Sequence, residues 1–188
     1  AGLPSTGATG TAPASCAATT VTAPAVADAW ISAGLTSSKG ADTTLDVEAD
    51  PLGGHTRSLV RFSLPPVPGG CVLSSAKLRL YTSSGSVGAR VEVLRLASAW
   101  NESTVLWANQ PASVGVAAVA WSRDGYMQWN VLEQVRSLLE LGNHGFQIRD
   151  AAEGSASLED EGAGHGFNST EKATSRPQPA LRSAAPPS

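Results

Sequence analysis

An antiparallel all-β sandwich, jelly-roll-like and carrying one short helix, is the fold class this sequence predicts. Three observations lead there. Apolar residues recur with a period of two in several short segments, turn-forming clusters separate those segments, and a single stretch repeats at helical spacing. The clearest alternations are Val60, Phe62 and Leu64 against Arg61 and Ser63, then Ala76, Leu78 and Leu80 against Lys77, Arg79 and Tyr81. Phe146 and Ile148 alternate with Gln147 and Arg149 in the same way. Shorter candidate strands cover 29–32, 45–48, 91–96, 117–121, 166–169 and 180–182. Asp50-Pro51-Leu52-Gly53-Gly54, the Pro-rich run 65–70 and Arg123-Asp124-Gly125 supply the turns. The helical stretch follows Asn130, a good N-cap: Val131, Val135, Leu138 and Leu139 share one face and Gly142 ends it, which predicts a helix over 131–141.

The 188 residues suit one domain with tails. Residues 1–20 are a small-residue and Pro tract that reads as a linker-like arm tethered at Cys16; 21–182 form the sandwich; 183–188 are a Pro/Ala/Ser tail. Charged residues amount to only 15%, and the formal charge of −3 offers no basic surface for nucleic acid. No apolar run is long enough to span a membrane. The chain starts at Ala1 without a charged and apolar leader, so any signal peptide is expected to have been removed or to lie upstream.

Cys16 and Cys71 are the only cysteines, and neither stands at metal-ligand or C-x-x-C spacing, so a disulfide is the simplest reading, with two unrelated buried thiols as the alternative. Closing that loop would destabilise the unfolded chain by roughly 4 kcal/mol in the chain-entropy model. A disulfide implies a secreted or extracellular-surface location.

The search for catalytic chemistry finds no G-x-S-x-G elbow, no phosphate cradle and no paired histidines, so no enzyme is expected. His55, His144 and His165 read as separate surface side chains. The run holding Glu153, Glu159, Asp160 and Glu161 reads as a solvated loop. Two features remain. Arg61, Lys77, Arg79, Tyr81 and Arg149 all alternate away from the core, as ligand-binding candidates or as ordinary solvent-facing charge. Asp28 sits in a strand-like stretch that disfavours Asp; it is either a hydrogen-bond acceptor for a neighbouring strand end or a ligand for structural Ca²⁺, with Asp150 as a second oxygen donor. Trp100, Glu102 and Trp107 look like sugar-binding bait, but both tryptophans are expected in the core.

The order of landmarks resembles the DNRLRE domain family, which overlaps the family 96 carbohydrate-binding modules. Asp28-Ala29-Trp30-Ile31 resembles its opening strand, and Ser38-Lys39-Gly40 its Asn-x-Gly turn. Leu59-Val60-Arg61-Phe62-Ser63-Leu64, Ser75 to Tyr81, Trp100-x-Glu102 with Trp107, and His144-Gly145-Phe146 follow in the family's order. A family Ser-Arg-Glu stands here as Ser169-Thr170-Glu171, without the Arg. The resemblance implies a non-catalytic accessory module that binds polysaccharide or attaches to a surface within a larger secreted protein, next to neighbouring domains of its parent. A purely structural spacer is the alternative, and a glycan-active enzyme a more distant one. No cofactor is required on this reading, and a structural Ca²⁺ remains one of the two roles open to Asp28.

Overall fold

A computed structural model describes residues 16–85, 87–154 and 164–187. Eleven strands and one helix follow one another as β1 (Thr19–Thr22), β2 (Ala25–Ser32), β3 (Thr44–Val47), β4 (Thr56–Phe62), β5 (Val72–Ser84), β6 (Arg90–Leu96), β7 (Ser113–Trp121), β8 (Gly125–Asn130), α1 (Leu132–Leu141), β9 (Phe146–Asp150), β10 (His165–Asn168) and β11 (Gln178–Ala184). They form two antiparallel sheets. The first runs β1-β11-β5-β10-β3 with β8 on the other edge of β5; the second runs β2-β4-β9-β6-β7. This is the predicted sandwich. None of the helices among the described residues is long and apolar enough to cross a membrane.

Alternation explains the main core. Val60 and Phe62 from β4, Leu78 and Leu80 from β5, Phe146 and Ile148 from β9 are all at most 1% exposed and meet between the sheets. Trp129 joins them, and its indole N–H donates to Val91 O at 2.9 Å, so the ring is buried without an unsatisfied donor. Helix α1 closes this core with Val135 and Leu138. It starts one residue later than its sequence pattern predicts: Val131 occupies the N-cap and Asn130 Oδ1 accepts the Leu132 N–H at 3.3 Å. At its end the Gly142 N–H donates to Leu138 O at 3.2 Å.

A second core lies on the outer face of the second sheet. In β2 and β4 the residues between the inward-facing positions, Ala27, Ala29, Ile31 and Leu59, are also buried, together with Leu96, Trp100 and Val105. The β6–β7 connection covers them. Trp100 acts as its lid, 8% exposed with its indole N–H donating to His144 O at 2.8 Å. Trp107 is half-buried against the same cluster under the Arg57 guanidinium, 4.5 Å from its ring.

Cys16 and Cys71 form the expected disulfide. Cys71 precedes β5, whose first residue Val72 pairs with Ala184 of β11, while Thr19 pairs with Ser183. The bridge therefore fastens both edges of β11 at one corner. Strand β1 starts within the stretch expected to be linker, and β11 extends two residues beyond 182; each is ordered by the other's backbone. Residues 1–15 of the arm, and Glu159, Asp160 and Glu161, lie outside the described residues.

Candidate functional site

The five ligand candidates divide between two opposite faces. Lys77, Arg79 and Tyr81 stand on β5 of the first sheet, whereas Arg61 and Arg149 stand on β4 and β9 of the second. On the second sheet both arginines are engaged: Arg149 forms an ion pair with Glu92 at 2.9 Å, and Arg61 lies over the Trp100 ring at 5.6 Å. These two do not join the other three in one surface. The reason is geometric, since both outer faces of a sandwich show the same alternation.

On the first sheet, register places Lys77 opposite Asn130, Arg79 opposite Gln128 and Tyr81 opposite Tyr126, all on one face. Tyr81 and Tyr126 meet edge to face with ring centroids 5.2 Å apart, and the Arg79 guanidinium lies 4.4 Å from the Tyr126 ring. On its other side Arg79 is level with Gln178 of β11. Tyr126 and Gln178 line an open groove of about 410 Å³ whose other walls include Thr22, Thr170 and Arg176. Among the described residues Lys77, Arg79 and Arg182 form no ion pair, so this face is a basic, amide-rich surface with two tyrosines.

Asp28 lies on edge strand β2, facing the other sheet opposite Val60, and is fully buried. Its Oδ2 accepts the Thr170 N–H at 2.8 Å, while its own N–H donates to Glu102 Oε1 at 2.8 Å. Among the described residues Oδ1 has no hydrogen-bond partner. Glu102 and Glu171 complete a group of three carboxylates with ligand atoms within 4.8 Å of one another. Burial, ahead of the charges of Glu171 and Glu102, pushes the Asp28 carboxyl from 3.8 up to about 7, against the Thr170 N–H that lowers it.

Asp150 does not belong to this group. Asp28 is level with Phe146 through Val60, and Asp150 lies four residues further along β9. Strand geometry therefore separates the two by roughly 15 Å. Asp150 instead accepts the Ala152 N–H at 2.8 Å, and its charge acts on His165. His165 is 2% exposed, so it is a core residue rather than a surface one. Glu153 also departs from its expected solvated loop: its side chain is 4% exposed and bonds Arg57 at 2.7 Å.

The motifs that carry the family resemblance converge on the three carboxylates. Ser38 Oγ donates to Glu102 O, and the close approach at Gly40 leaves no room for a side chain against Glu102. Ser169 Oγ reaches both Asp42 O and Glu171 Oε2 at 2.7 Å. The contact of Thr170 with Asp28 Oδ2 is made by the backbone and so does not depend on its side chain. Sequence reasoning missed Glu102 and Glu171 as partners of Asp28. The signal was their position in the W-x-E and S-T-E motifs.

Two antiparallel sheets with an open groove and a tyrosine-bearing polar outer face define a β-sandwich domain. The sequence profile of carbohydrate-binding module family 96 matches residues 19–183, from the first residue of β1 into β11, and the chain belongs to that family. A search of curated proteins finds no match.

Proposed function

We propose that this chain is a non-catalytic accessory module of a secreted protein, binding polysaccharide on the outer face of its first sheet. The observation that carries this reading is the Tyr81–Tyr126 pair beside the groove, flanked by Arg79, Gln128 and Gln178. An aromatic ring offers an apolar face to the C–H surface of a pyranose, and amides and guanidinium groups hydrogen-bond its hydroxyls. Lys77, Arg79 and Arg182, without ion-pair partners among the described residues, favour a chain that carries carboxylate or sulfate groups. Family membership supports carbohydrate as the ligand class, and the disulfide supports an oxidising, extracellular setting.

Retention on a panel of neutral and uronate polysaccharides tests the proposal. Tyr126→Ala should weaken retention about tenfold, the loss of one good stacking contact. Trp121, 64% exposed on β7 of the other sheet, is the control, and Trp121→Ala should leave retention intact. Wild-type chain retained by none of the polysaccharides would favour the spacer alternative. Loss of binding in Trp121→Ala alone would move the site to the second sheet.

A further inference from the structure

We infer that Asp28, Glu102 and Glu171 form a site for one hard divalent cation, Ca²⁺, which ties together three segments distant in sequence. The carboxylates come from β2, the β6–β7 connection and the β10–β11 connection. Among the described residues none of the three forms an ion pair with Lys, Arg or His, so no cationic side chain offsets the charge of the group. A second observation points to a ligand: Asp28 Oδ1 is buried on a residue with no exposed surface and has no hydrogen-bond partner among the described residues.

The remaining oxygens show how the group is held. Thr170 N–H binds Asp28 Oδ2, Asp28 N–H binds Glu102 Oε1, and Ser169 Oγ binds Glu171 Oε2. Asp28 and Glu102 are thus each oriented by a backbone donor on one oxygen, and Glu171 by the hydroxyls of Ser169 and Thr170. Glu171 is exposed, so an ion can enter from solvent. An all-oxygen set suits a hard cation, and donors from three irregularly placed segments suit Ca²⁺, which tolerates variable coordination, better than Mg²⁺, which demands a near-ideal octahedron.

Thr170 also lines the groove beside Tyr126, so the cation would hold one wall of it. That last step rests on the carbohydrate reading; cation binding itself does not.

The test is calorimetric titration and thermal unfolding of the full 188-residue chain after EDTA treatment, with Ca²⁺ or Mg²⁺ raised into the millimolar range and no glycan present. One Ca²⁺ per chain is expected, with a saturable Tm rise of roughly 5–10 °C at a hundredfold excess over Kd. Glu171→Gln, an exposed position where folding is not at risk, should weaken Ca²⁺ binding at least tenfold, and Glu102→Gln should do the same. Neither heat nor Tm shift with millimolar Ca²⁺ would overturn the site, leaving a proton on Asp28 as the neutralising partner. Equal affinity in Glu171→Gln would overturn the ligand set, and an equal response to Mg²⁺ would overturn the assignment to Ca²⁺. Polysaccharide retention measured separately with and without Ca²⁺ reports the coupling, which a Ca²⁺-independent Kd would refute.

Discussion

The backbone N–H of Asp28 donates to Glu102 Oε1 across 74 residues of sequence, closing the outer side of edge strand β2 with a carboxylate. An edge strand offers unpaired donors to any passing strand. Here one of them instead orients a member of the acidic group, so protection of the sheet edge and construction of the site share a residue.

Gly40 makes that arrangement feasible, because a Cβ there would run into the side chain and carbonyl of Glu102. Gly40→Ala should cost about 1–3 kcal/mol, as overpacking does. Chemical denaturation should show the loss, and Ca²⁺ titration should show weakened binding in the same variant. A Gly40→Ala chain as stable as wild type would mean that Glu102 moves away freely.

The disulfide should account for a large share of stability. Cys16 and Cys71 are 55 positions apart, and opening the bridge in Cys71→Ser, or in the Cys16→Ser/Cys71→Ser pair, should cost roughly 4 kcal/mol by loop entropy. For a chain of this size that lowers Tm by about 10 °C in a calorimetric scan. A change of only a degree or two would place the effect in strand pairing rather than in the unfolded chain.

Trp100 should behave as a core residue and not as a sugar platform. It closes the second cluster and its N–H satisfies His144 O, so Trp100→Ala should cost about 3–5 kcal/mol. Trp100→Phe keeps most of the apolar contact and loses the donor, and its smaller cost should follow the buried carbonyl. Unfolding midpoints in urea separate the two.

Among the charged candidates, location predicts phenotype. Arg79→Ala should weaken polysaccharide retention with little change in Tm, because Arg79 supports the Tyr126 ring on the proposed binding face. Arg149→Ala removes a partly buried pair with Glu92 and should lower stability by about 1 kcal/mol while leaving retention unchanged. The reverse pattern would put the ligand on the second sheet.

Acid should destabilise the fold through His165. Burial lowers its pKa below the ordinary 6.5, although the Asp150 charge raises it in part. The unfolded histidine therefore takes a proton first, and stability that is full above about pH 6.5 is lost as pH falls toward the folded value. Asp28 acts in the opposite sense in the ion-free protein: its carboxyl, near 7 when folded, holds a proton that the unfolded chain releases, so its contribution grows as pH falls below 7. Comparing wild type with His165→Gln at pH 7.5 and pH 5.5 isolates the first effect. The variant should lose less stability on acidification, and equal losses would remove His165 as the cause.

The all-β class, the helix near 131–141 and the Cys16–Cys71 bridge were legible in the sequence because each rests on local periodicity, capping or residue count. Alternation showed that Arg61, Lys77, Arg79, Tyr81 and Arg149 leave the core. It carries no information about which of two outer faces a strand presents, so only strand order separated the two arginines from Lys77, Arg79 and Tyr81. Asp28 stood out as an acid in a strand, which marks a residue in need of a partner without naming it. The choice of Glu102 and Glu171 over Asp150 was made by register, which sets Asp28 against Val60 and brings Thr170, 142 residues later, onto its carboxylate. Contacts of that range depend on how whole sheets pack, and no local pattern encodes them.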